Sequence, residues 1–218
     1  MPRQIFRTAA TLTFITAGAI ALSACYEVEN GPAFSGGDEV SGFDSTLYTI
    51  GRISPTDGDG FMAVDPSDVE IWHIRRALNG SYLLTQEGSE DDNTVVRPRR
   101  IRRSDDYVME YSTAPDENWL GILSVEGRGD ERRFNFCIHL SWDDDDIVAR
   151  APAHDVRATD ESYSGVRLGA DDPDDLFDFM AALWRDSNLN EWECTVMGAT
   201  PPVGMTLEGG DAGKVPGK

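Results

Sequence analysis

Through the middle of the chain, hydrophobic and polar positions alternate with a period of two, the period of a strand with one face buried. Leu47 to Ile53 alternates through Tyr48 and Ile50, and Thr56-Asp57-Gly58-Asp59-Gly60 supplies the turn residues that return it to Phe61 to Val64. Val69 to Arg76 and Tyr82 to Gln86 follow, joined through Asn79-Gly80, the strongest local hairpin signal in the sequence. A polar loop, Glu87 to Asn93, leads to Thr94 to Arg103, and Tyr107 to Ser112, Trp119 to Glu126 and Arg132 to Trp142 come after it. Close spacing and short turns predict an antiparallel meander of about eight strands.

The last of these strands is the clearest. Phe134, Phe136, Ile138, Leu140 and Trp142 share one face, which must be buried; Asn135, Cys137, His139 and Ser141 share the other. The period then changes to that of a helix from about 173 to 186, with Asp172 as cap, Pro173 in the first turn and an apolar stripe from Leu176 to Trp184. The predicted fold class is mainly β (α+β): an antiparallel meander or barrel-like sheet of about eight strands with one C-terminal amphipathic helix.

The N-terminus follows a different pattern. Arg3 and Arg7 precede an apolar run from Ala9 to Leu22 that is too short and too interrupted by threonine to span a bilayer stably, and Leu22-Ser23-Ala24-Cys25 closes it. These four residues resemble the lipobox of bacterial lipoproteins. The resemblance covers only the first 25 residues. It implies cleavage before Cys25 and acylation of that cysteine. Because Tyr26, and not Asp, follows, it implies residence at the outer membrane facing the periplasm, with the inner membrane or the cell surface as alternatives. The expected organisation is a signal peptide over 1–24, a flexible tether over 25–44, one β-rich domain over 45–198 and a disordered tail over 199–218.

Charge narrows the partners. Loss of the leader takes Arg3 and Arg7 and leaves 17 basic against 39 acidic residues, a formal charge of −22. Phosphate repulsion then opposes nucleic acid, and the expected partners are the bilayer, through the acylated terminus, and an envelope protein or anionic envelope polymer. With Cys25 lipidated, Cys137 and Cys194 form an even pair in an oxidising compartment, and a disulfide is expected. The segment Glu191 to Met197 is expected to lie against the Cys137 face of the strand.

In so acidic a chain, Arg97, Arg99, Arg100, Arg102 and Arg103 form the candidate anion-binding row. In an extended strand Arg97, Arg99 and Arg103 share one side with Ile101. The competing reading pairs them with carboxylates such as Asp105, Asp106 and Glu110. Asp143 to Asp146 and Asp57-Gly58-Asp59-Gly60 lack the interleaved ligands of a calcium loop and read as solvated turns. His73, His139 and His154 are scattered, and no metal set, catalytic residue or cofactor motif is assigned. The expected function is that of a membrane-anchored envelope lipoprotein acting as a non-catalytic binding or structural module. The alternatives are a lipocalin-like carrier of a small apolar ligand and an envelope hydrolase.

Overall fold

The computed structural model describes residues 26–205, apart from 30, 55–59, 90–92, 115–116, 140–143, 161–165, 187–191 and 204. In chain order its strands are β1 (Tyr26–Val28), β2 (Thr46–Ile53), β3 (Phe61–Ala63), β4 (Ile71–Arg76), β5 (Tyr82–Gln86), β6 (Asn93–Arg100), β7 (Asp106–Ala114), β8 (Glu117–Glu126) and β9 (Arg133–His139), then β10 (Arg157–Asp160), β11 (Val166–Gly169) and β12 (Trp192–Gly198). Helix α1 (Asp144–Arg150) lies between β9 and β10, and helix α2 (Pro173–Asp186) between β11 and β12.

Eight strands close into a barrel. The ring runs β8, β7, β6, β5, β4, β2, β12, β9 and back to β8, with every neighbouring pair antiparallel. Closure removes the unpaired edges that an open sheet would present. Alternate residues point inward, among them Leu47, Ile74, Tyr82, Leu84, Val96, Met109, Leu123, Phe134 and Met197, and these form a continuous apolar cluster.

The ring has a corner at β8. From Ile122 to Glu126 this strand pairs with β9, whereas Trp119 and Leu120 pair with β1. Gly121 sits at the change of partner, where a Cβ would come within 2.8 Å of the Cys137 carbonyl oxygen. Glycine is required by that close approach. From β1 a branch continues through parallel β11 to antiparallel β10. A second apolar cluster, which includes Tyr26, Ile122, Leu168, Phe179, Met180 and Trp192, fills the space between the outer face of the barrel, this branch and the helices. Helix α2 is capped by Asp172, whose carboxylate accepts the Asp174 N–H at 2.9 Å, and buries Leu176, Phe179, Met180 and Leu183.

Several expectations are corrected. The stretch after Cys25 is no tether: Tyr26 is 2% exposed, Phe43 is 0% exposed, and Val28, Phe34 and Val40 are buried as well. These apolar residues are too widely spaced to show a period, yet each fills a hole in the domain. The turn that joins β2 to β3 falls on 55–59, outside the described residues, but β3 pairs only with β2, and β12 takes the eighth place in the ring. That strand lies beside β9 in the same sheet and not over its face. Of the aspartate run expected as a turn, Asp143 lies outside the described residues and 144–146 open helix α1, where the carboxylates of Asp145 and Asp146 complement the helix dipole. Leu140, Ser141, Trp142, the leader with Cys25 and all but the first residues of the expected tail lie outside the described residues.

Candidate binding site inside the barrel

One end of the barrel is plugged from within the chain. Phe43, just before β2, packs against Tyr82, Phe134 and Phe136 at ring-centroid distances of 5.0, 5.2 and 5.6 Å. The Val40 N–H donates to the Tyr82 hydroxyl at 2.8 Å. Burial pushes the Tyr82 and Tyr107 phenols above their ordinary pKa.

Towards the opposite end, where β9 finishes and β12 begins, the interior holds a cavity of about 90 Å³. Its floor is Leu84, Val96, Met109 and Met197, all buried. Trp72, Tyr111, Phe136 and Ile138 form the walls, and Phe136 separates the cavity from the plug. Arg52, Glu70, Thr94, Glu193 and Thr195 are partly or fully exposed and make the mouth. A bulge explains Arg52. Met197 pairs with Thr49 and Val196 with Gly51, so Ile50 is an extra residue opposite β12 and the alternation of β2 resets, turning both Thr49 and Arg52 inward.

Two polar atoms in this wall have no hydrogen-bond partner: Thr49 Oγ1 and Trp72 Nε1, both buried. Leu47 faces Trp72 across the β2–β4 ladder, and Thr49 lies two residues further along the same inward face. The two orphaned groups are therefore diagonal neighbours. Leaving such a group unpartnered costs about 1–3 kcal/mol. Sequence reasoning missed these residues; the signal that could have found them is polar residues at inward positions of otherwise apolar strands, Thr49 after Leu47 and Glu193 and Thr195 before Met197.

The arginine row is dispersed. Arg99 meets Asp174 at 2.8 Å and stacks over Phe34 and Phe177, Arg100 meets Asp105 at 2.6 Å, and Arg97 lies 3.8 Å from Glu110 and donates to Ser112 Oγ at 3.1 Å. Strand β6 ends at Arg100, and Arg102 and Arg103 stand exposed in the following turn, Arg103 with a φ of 66°. Three of the five guanidinium groups are thus already engaged within the fold.

Glu110 has a structural task. It is 0% exposed and accepts the N–H groups of Ala33 and Phe34 at 2.7 and 3.0 Å, which ties the N-terminal segment to the outer face of the barrel. Burial raises its pKa, while the two backbone N–H groups and Arg97 oppose the rise. Cys137 and Cys194 face each other across β9 and β12, with Cα atoms 4.0 Å apart, and are joined by a disulfide. Buried His139 bonds the Tyr26 hydroxyl at 2.8 Å, and the His154 ring packs on Phe179. His73 meets Thr46 Oγ1 at 3.2 Å, but Glu87 is 3.7 Å away and the group lies on the exposed strand surface. No group of three or more metal-ligating side chains occurs among the described residues.

No family model, curated protein or solved structure matches this chain. The site is therefore read from its own chemistry.

Proposed function

We propose that the protein is a lipid-anchored lipoprotein of a bacterial envelope, and that its barrel is a non-catalytic binding or structural module held directly on the bilayer. The observation that carries this reading is the junction between anchor and domain. The lipobox-like Leu22-Ser23-Ala24-Cys25 is followed at once by Tyr26, which is 2% exposed, paired with β8 and hydrogen-bonded to His139. An acylated Cys25 then leaves no free chain between lipid and fold, so the barrel lies against the headgroups in one orientation. Each buried methylene contributes about 0.8 kcal/mol, and two or three acyl chains make release negligible. The acidic surface adds no attraction to an anionic bilayer, so attachment depends on the acyl chains alone.

Fractionation tests this. The parent chain is expected in the membrane fraction with acyl chains on Cys25, detected by labelled palmitate and by mass, and Cys25→Ser is expected to lose both label and membrane association. A Cys25→Ser chain that stays acylated and membrane-bound contradicts the reading.

A further inference from the structure

We infer, on the basis of the anchoring proposal, that β1 docks last and that its docking closes the precursor to the leader peptidase. The expected cut hydrolyses the amide between Ala24 and Cys25, water leaving a carboxylate on Ala24 and an amine on Cys25. A peptidase holds the chain extended on both sides of the bond it splits and pairs with its backbone much as a neighbouring strand does. In this chain the second residue past that bond already belongs to a strand whose two edges are taken. Tyr26 and Glu27 pair with Leu120 and Trp119 of β8 on one side, and Glu27 and Val28 pair with Arg167 and Leu168 of β11 on the other. Tyr26 is 2% and Val28 5% exposed, the Tyr26 hydroxyl bonds His139 at 2.8 Å, and the Glu27 carboxylate meets Arg167 at 2.9 Å. A chain with a long free spacer can fold first and be cut later. Here the fold begins at residue 26, so folding and cutting compete for the same residues.

The topology allows β1 to wait. It is not one of the eight ring strands, and the Cys137–Cys194 bond joins two that are, so the barrel closes and is cross-linked without it. Among the described residues, the pair β10–β11 reaches the sheet of the ring only through β1. Docking of β1 thus completes the domain and ends access for the peptidase together. Burial of two apolar side chains keeps the undocked fraction below about one in ten, and only that fraction is cut.

The test uses a bacterium whose lipoprotein signal peptidase is under inducible control. With the peptidase off, precursor is held until it resists added protease; the peptidase is then induced, and loss of the leader is followed by mass, with labelled palmitate reporting acylation. The parent is compared with a variant carrying a flexible glycine–serine insert of about 20 residues between Cys25 and Tyr26, and with Val28→Asp, which puts a charge at a buried position and keeps β1 undocked. Held parent precursor is expected to lose its leader roughly tenfold or more slowly than either variant, while parent made after induction is cut at the variants' rate. Held parent that is cut as fast as both variants overturns the inference and leaves the anchoring proposal standing. Absence of palmitate from the parent and both variants overturns the two together.

Discussion

Breaking the Cys137–Cys194 bond has a consequence that can be calculated. The two residues are 57 apart in sequence, and the loop between them contains α1, β10, β11 and α2, the elements that cover the outer face of the barrel. In the chain-entropy picture, a cross-link closing a loop of this length stabilises by about 4 kcal/mol at 25 °C. Unfolding entropy near 2.1 cal/mol/K per residue turns this into a fall in Tm of about 10 °C for a domain of this size. The ladder between β9 and β12 keeps seven residue pairs, so the barrel should remain closed at 25 °C after the bond is broken. Thermal unfolding followed by circular dichroism, with and without reductant, measures the difference. The double variant Cys137→Ala and Cys194→Ala serves as control, because alanine leaves no unsatisfied hydroxyl in the buried site. A loss of less than about 2 °C, or a reduced protein that has lost its strands at 25 °C, would refute the reasoning.

Three other outcomes follow from single contacts. Phe43→Ala removes the ring that plugs the barrel and is expected to cost about 3–5 kcal/mol in denaturant unfolding; a cost under about 1 kcal/mol would mean that the end is closed by something else. Glu110 has a folded-state pKa raised above its unfolded value, so its contribution is fully present below the unfolded pKa and is lost as pH rises through the folded one. The parent should therefore gain stability relative to Glu110→Gln as pH falls from 7 towards 4.5, and a gap that narrows on acidification would reverse the assigned shift. Arg103 holds a left-handed backbone at φ 66° without an ion pair among the described residues, and Arg103→Gly should stabilise by about 1 kcal/mol, read as a higher denaturation midpoint.

What the sequence revealed follows the range of the forces. Strands β4 to β9 were legible because each pairs with its neighbour in the chain, through short turns such as the one at Asn79-Gly80. A barrel-like sheet was among the expectations, but the strand that closes it was not legible, because β12 reaches across more than fifty residues to β9 and still farther to β2. Strand β1 was missed for a related reason: three residues carry no period, and both its partners are distant in sequence. The expected tether looked polar because its few apolar residues are dispersed, yet Phe34, Val40 and Phe43 each reach a buried position. Five arginines in seven residues drew attention through composition. In the structure Arg97, Arg99 and Arg100 are engaged by Glu110, Asp174 and Asp105, and Arg102 and Arg103 fall in the turn beyond the end of β6. The cavity was not located in the sequence: its polar lining residues, Thr49, Glu193 and Thr195, sit singly among apolar ones, and the bulge that aims Arg52 into its mouth becomes visible only in the register.

The central claim is that the barrel rests on the membrane with no spacer between lipid and fold. Neutron reflectometry of the acylated chain on a supported bilayer tests it most directly. Protein density that begins at the headgroups, without an intervening solvent layer, is the predicted result. A solvent layer of about 25 Å, the root-mean-square reach of a flexible chain of about 20 residues, would contradict it.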